Sequence, residues 1–252
     1  MDNKFRVKIL KIGEQCVPGP EVYRMSHWNE WEKLDFHIVI AYNDRTNFLI
    51  NTGMPLNLDL RNNEMMKFAG KRSLFKSYDS IKILEDSGFS KNDIKNISFT
   101  PIQDYTTGRL NQFNNAKFFI SRRGWIDDII THNLHNEKRY LFIQDEMLNY
   151  ILFSAYNRVV FFDSDNITEL IPGINALWVG CHHRSSQAFI INTASGNVIF
   201  TDASFKNNNI NDNLPIGISE NIFECYKSYN ILKKHGRVLS AYDPNISNID
   251  IN

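Results

Sequence analysis

Ser98-Phe99-Thr100-Pro101-Ile102-Gln103-Asp104-Tyr105-Thr106-Thr107-Gly108 begins in a short apolar run, Ile97 to Thr100, and ends in a polar loop. The run reads as a buried strand. Upstream, Ser77 to Ser87 has helical spacing with Gly88 as its C-cap. Ser90 is placed to cap a short second helix, and Asp93 to complete its capping box. Further upstream, Phe36 to Tyr42 and Thr46 to Ile50 read as a hairpin around Asn43-Asp44, closed by the turn Asn51-Thr52-Gly53. Phe5 to Ile12 alternates apolar and charged residues, as a half-buried strand does. Downstream, Tyr140 to Ser154 reads as partly helical. Arg158 to Phe162, Ala176 to Val179, Ala188 to Asn192 and Val198 to Thr201 read as strands, the last two joined by a hairpin turn at Gly196-Asn197. Ile218 to Lys234 has helical spacing with Gly236 as C-cap, and Val238-Leu239 is a last short strand. Strands dominate two stretches and helices follow each, so the pattern suits two sheets sandwiched between helices.

A chain of 252 residues can bury a large core without disulfides or a structural metal. It has no internal repeat and no linker rich in Pro, Gly or Ser, so residues 1–252 are expected to form a single domain. The 28 basic and 28 acidic residues balance, which weighs against nucleic acid as a partner. Cys16, Cys181 and Cys225 lie far apart without a CxxC spacing, so reduced thiols are expected rather than a zinc ribbon or a redox pair. Met1 to Gly13 has no signal-peptide core, and no apolar run reaches bilayer length. A cytoplasmic protein with no membrane partner is therefore expected.

The order of these landmarks resembles the metallo-β-lactamase fold, and within it the lactonase-like branch typified by N-acyl homoserine lactonases. Asn51-Thr52-Gly53 resembles that group's Asp-Thr-Gly turn. Thr100 to Gly108 falls where its first metal motif, Thr-His-x-His-x-Asp-His-x-Gly, would stand. Phe113 to Ala116 with Ser121 to Trp125 is similar to the segment that follows that motif. Pro172-Gly173-Ile174 and Gly180-Cys181-His182-His183 through Ser186-Gln187 resemble the third-histidine motif, and Thr201-Asp202-Ala203 the turn that carries a bridging aspartate. Val238 to Pro244 resembles the final histidine motif. The match spans nearly the whole chain in order and spacing. It implies a four-layer αββα sandwich with its site at one rim, between the sheets.

The same alignment exposes losses. Two zinc ions need a dense set of imidazoles and carboxylates at about 2.0–2.2 Å. Where the resemblance implies three His and one Asp in the first motif, Pro101, Gln103, Tyr105 and Thr106 stand here, and the last histidine is replaced by Tyr242. His182 and Asp202 are the residual ligand positions, two of seven. Asn51 replaces an aspartate that would support the ligands, and Phe205 stands where lactonase-type members often place a tyrosine. No cofactor is expected, or at most one weakly held metal ion.

Three readings follow. The first is a degenerate member without metallohydrolase activity that binds a small molecule or a partner, as a homodimer or as a heterodimer with an intact relative. The second is an enzyme repurposed to metal-free or single-metal, hydrolase-like chemistry on a small ester, lactone or related carbonyl compound. Its catalytic candidates are His182 as base, Asp202 as its orienter, and Tyr105 or Tyr242 as proton donor. Its pocket candidates are Pro101, Gln103, Asp104, Thr106, His183 and Phe205. The third keeps a dinuclear site, with Asp104, His183 and Asp243 as substitute ligands. Lesser signals are a Cys181–His182 nucleophile, the histidines of Thr131 to His135, and an aromatic segment with His27, Trp28 and Trp31.

Overall fold

In the computed structural model, which describes residues 3–131 and 138–252, the alternation that begins at Phe5 becomes a strand longer than its sequence pattern. Strand β1 (Arg6–Pro18) pairs antiparallel with β2 (Trp31–Tyr42). The register shifts between Lys11 and Gly13, so Ile12 is the extra residue of a bulge and stays buried. Beyond the bulge the strand runs Gly-Glu-Gln-Cys, where polarity no longer alternates. Gln15 is nevertheless buried, because its amide donates to the Ser73 carbonyl at 2.9 Å.

The remaining strands are β3 (Asn47–Ile50), β4 (Lys76–Ser77), β5 (Asn96–Ser98), β6 (Lys117–Ser121), β7 (Val159–Phe162), β8 (Thr168–Ile171), β9 (Ile174–Trp178), β10 (Gln187–Thr193), β11 (Gly196–Thr201), β12 (Arg237–Ser240) and β13 (Ile249–Ile251). The first sheet has the order β13-β1-β2-β3-β5-β6-β7, with β4 on β1. The second has the order β12-β11-β10-β9-β8. Pairing is parallel from β3 to β7 and between β11 and β12, and antiparallel elsewhere.

Both sheets close on one apolar core. Phe48 of β3 meets Phe189 of β10 with ring centroids 6.1 Å apart, and Phe5 bridges to Thr193. Helices cover the outer faces. Ser80–Asp86 packs on β1. Ile222–His235 packs on β11 and β12, burying Cys225, Ser228, Tyr229 and Leu232 at helical spacing. The result is the four-layer αββα sandwich.

Several boundaries differ from the sequence reading. The β10–β11 turn lies at Ala194-Ser195, because Gly196 is already paired with Thr193. The long C-terminal helix starts at Ile222, where the Asn221 side chain accepts from the Phe223 and Glu224 amides. Asp79 caps the helix at Ser80, and Ser77 belongs to β4 instead. Ser90 caps a single 3-10 turn, Lys91–Asp93, without a capping box. A helix at Asp59–Ala69 has no counterpart in the sequence reading.

Candidate functional site

The loops leaving β3, β5, β9, β11 and β12 meet at one rim of the sandwich. Asn51, at the end of β3, has φ +67° and donates its backbone N–H to the Ser98 carbonyl at 2.9 Å. Its side-chain oxygen accepts from the Thr100 amide at 3.0 Å, and its Nδ2 donates to the His37 carbonyl at 3.4 Å. A carboxylate could accept the first bond but not donate the second, so an amide suits this corner. Gly53, at φ +104°, lies so close to Ser80 that a Cβ would come within 2.4 Å of its hydroxyl.

Asp202, just beyond β11, is fully buried and fully engaged. Thr100 donates its hydroxyl to Oδ1. Ser186 donates to Oδ2 at 2.5 Å, and His182 Nδ1 lies 3.3 Å from the same oxygen. His182 and Asp202, which the sequence resemblance pairs as ligand positions, are thus brought together. The second feature of the site is hydroxylic: the phenol oxygens of Tyr105 and Tyr242 are 3.2 Å apart. Burial holds the Tyr242 phenol above its ordinary value, and the neighbouring Tyr105 and Asp202 add to this, so it stays protonated. Phe205 meets His182 and Tyr242 edge-on, with centroids 4.8 and 4.9 Å apart.

The residue that organises the other half of the site is Arg61, which no motif or periodicity singles out. It stands on the Asp59–Ala69 helix and is the one residue there that is fully buried. Its Nε donates to Asp104 Oδ1 at 3.0 Å, and its Nη2 donates to Gln103 Oε1 at 2.7 Å and to the Leu141 carbonyl at 2.8 Å. Nη2 also pairs with the Asp104 carboxylate. The guanidinium lies over the Tyr105 ring, 5.2 Å from its centroid. With Gln103 Oε1 turned to Arg61, its Nε2 faces His183 Nε2 at 3.2 Å. An amide nitrogen can only donate, so this imidazole nitrogen accepts, and the His183 proton sits on Nδ1, 3.6 Å from Glu220. Burial works against the Glu220 charge, but hydrogen bonding from His183 and Arg184 and the Arg184 charge outweigh it and hold that carboxyl below its ordinary value. Asp128 lies near the same imidazole; burial pushes its carboxyl up, and it accepts from the Ser185 amide at 2.8 Å.

Above these groups lies a cavity of about 270 Å³. Its polar floor is Arg61, Gln103, Tyr105, His182, His183 and Tyr242. Its walls are mainly apolar: Val17, Leu34, Phe36, Met65, Phe75 and Phe205. Three pocket candidates are placed elsewhere. Pro101, Asp104 and Thr106 are buried beneath the floor and do not line the cavity. The Thr106 hydroxyl is spent inside its own loop, on the Pro101 carbonyl at 2.6 Å and the Gln103 carbonyl at 2.8 Å. Cys181 is buried with its thiol on the Val179 carbonyl at 3.3 Å. Asp243 is consumed as a cap, accepting from the Asn207 and Asn245 amides at 2.8 and 2.9 Å. His27 packs at a tilt against Tyr23 and Trp31 lies under Arg72, while Trp28 is exposed. His132 and His135 lie outside the described residues.

These donors do not fit a pair of zinc ions. The oxygens of Gln103 and Asp104 face a guanidinium, and those of Asp202 are taken by hydroxyls and an imidazole. A cation brought to the Gln103–Asp104 side would meet the Arg61 charge. Among the described residues, no group of three or more His, Cys, Asp or Glu side chains is arranged to hold a metal ion.

With order, topology and rim in view, the class is clear: this chain has the metallo-β-lactamase fold. No protein-family model matches it, and no curated protein does. Solved structures do. An N-acyl homoserine lactone hydrolase with N-hexanoyl-L-homoserine at its catalytic metal centre matches with TM-score 0.77 at 18% identity, over 97% of this chain and 95% of that one. A probable metal-dependent hydrolase from Staphylococcus aureus matches with TM-score 0.75 at 14% identity, over 96% and 91%. AidC, a dizinc quorum-quenching lactonase, matches with TM-score 0.66 at 16% identity, over 97% and 90%. At these identities the likeness concerns the fold. No helix among the described residues is long and apolar enough to cross a membrane.

Proposed function

We propose that this protein is a degenerate member of the metallo-β-lactamase fold that binds a small, mainly apolar molecule in the rim cavity and does not carry out dinuclear metal hydrolysis. The observation that carries this reading is the buried Arg61–Asp104–Gln103 cluster, a fixed cation at the former metal motif. The cavity supports the binding half: a few polar groups at the floor and apolar walls are the usual make-up of a small-molecule site. Similar structures hold N-hexanoyl- or N-decanoyl-L-homoserine, molecules with an apolar chain and a polar end.

The neutral fluorescent probe N-phenyl-1-naphthylamine tests this. It is expected to bind at one site per chain, and Leu34→Trp, which fills the cavity from β2, should abolish binding while cooperative unfolding is retained. Equal binding by the filled variant would contradict the reading.

The His182–Asp202 contact favours a second reading. An imidazole whose Nδ1 is oriented by a carboxylate, lining a cavity beside two phenols, has the make-up of a metal-free general base. Turnover of a small ester or lactone that disappears in His182→Ala would establish it; turnover untouched by that change would end it.

A further inference from the structure

The cavity floor is asymmetric in charge. Arg61 lines the cavity, whereas its partner Asp104, 1% exposed, lies beneath the floor and does not. The ion pair therefore brings its cationic residue, and not its carboxylate, to the cavity lining. Asp202 is likewise absent from the lining, with its oxygens occupied by Thr100, Ser186 and His182. A guanidinium has no acceptor at all, and Tyr105 and Tyr242 bring hydroxyls to the same floor. The carboxylates that do line the cavity, Glu21 and Glu64, stand at partly exposed positions, and Glu64 is already bonded to Lys67 at 2.8 Å and to Tyr140 at 3.3 Å. Above the floor the walls are mainly aromatic and aliphatic, with Gln15, Glu21, Glu64 and Lys138 also in the lining. The site thus joins a cationic, hydroxyl-rich end to an apolar chamber.

We infer that Arg61 is the specificity-determining residue of this cavity and that the ligand is an amphiphilic monocarboxylate, its carboxylate toward Arg61 and the two phenols and its hydrocarbon part among Leu34, Phe36, Phe75 and Phe205. This rests on reading the cavity as a ligand site. Charge-assisted bonds from a guanidinium outweigh those to a neutral hydroxyl of the same chain length, so the head group decides affinity.

Isothermal titration of the full chain with octanoate, octanol and octylamine near neutral pH tests the inference. Octanoate is expected to bind at one site and tighter than octanol by roughly tenfold or more, with octylamine no tighter than octanol. Arg61→Met should erase the preference for octanoate while octanol still binds, and Arg61→Lys should keep part of it. The wild-type comparison decides even if a variant fails to fold. Octanol binding as tightly as octanoate would overturn the carboxylate assignment and leave the cavity reading standing. No binding by any of the three would overturn both.

Discussion

Arg61 changes what the rim of this fold can be. A buried ion pair is costly to form, but removing one partner is costlier, since it strands a charge away from water. Arg61 is 6% exposed and Asp104 1%. Arg61→Met is therefore expected to lower unfolding stability by about 3–5 kcal/mol, measured in urea, and adding Asp104→Asn should recover most of the loss. A single variant as stable as wild type would mean the pair is solvated. A second residue-scale expectation concerns His37. It is buried, its Nδ1 lies 2.9 Å from the Ala241 carbonyl, and burial lowers its pKa to about 4. The folded imidazole stays neutral while the unfolded one, near pH 6.5, takes up a proton. Its contribution is thus complete above pH 6.5 and is lost as pH falls toward 4, at roughly 1.4 kcal/mol per unit. A His37→Gln variant should show a shallower stability decline across that window than wild type; an unchanged slope would place the acid sensitivity elsewhere.

At the scale of elements, the Asp59–Ala69 helix stands apart. Leu60, Met66 and Phe68 are about half exposed, at 48%, 47% and 50%. The helix is held by Arg61, by the Asn62 side chain on both backbone groups of Phe75, and by the Ser73 hydroxyl on the Met65 carbonyl. Few buried apolar contacts mean a low cost of local opening. Amides at 62–69 should exchange much faster than those at 38–41 in the centre of β2, and a bound ligand touching Met65 should slow them. Equal protection of the two segments would make the helix an integral part of the core. This helix also marks the limit of sequence reading at this scale. Periodicity located β1, β3, β5, β10, β11 and the C-terminal helix because their apolar faces are clean. It passed over 59–69 because that helix buries an arginine instead of an apolar stripe, and it cut β1 short at Ile12 because Gln15 is buried through a hydrogen bond that polarity cannot signal.

At the scale of the molecule, the αββα sandwich was legible because six landmarks recur in order. Those at residues 51–53, 100–108, 180–187, 201–203 and 241–244 follow strand ends at the site rim, whereas 113–116 leads into β6 and 172–174 forms the β8–β9 turn. The candidate site was legible only in part. His182 with Asp202 and Tyr105 with Tyr242 stand close in space, as facing loops should bring them. What the linear motif could not say is which loop residues turn to the cavity: Gln103 does, while Pro101, Asp104 and Thr106 turn inward. Nor could it supply Arg61, which comes from a separate helix forty residues upstream. The central claim, that a protein-borne guanidinium stands where the resemblance places a first metal motif, bears directly on metal stoichiometry. Inductively coupled plasma mass spectrometry of protein purified without a metal-affinity column, then dialysed against trace zinc, tests it most directly. The account predicts well under one equivalent of zinc per chain, unchanged by His182→Ala; about two equivalents, lost in that variant, would contradict it.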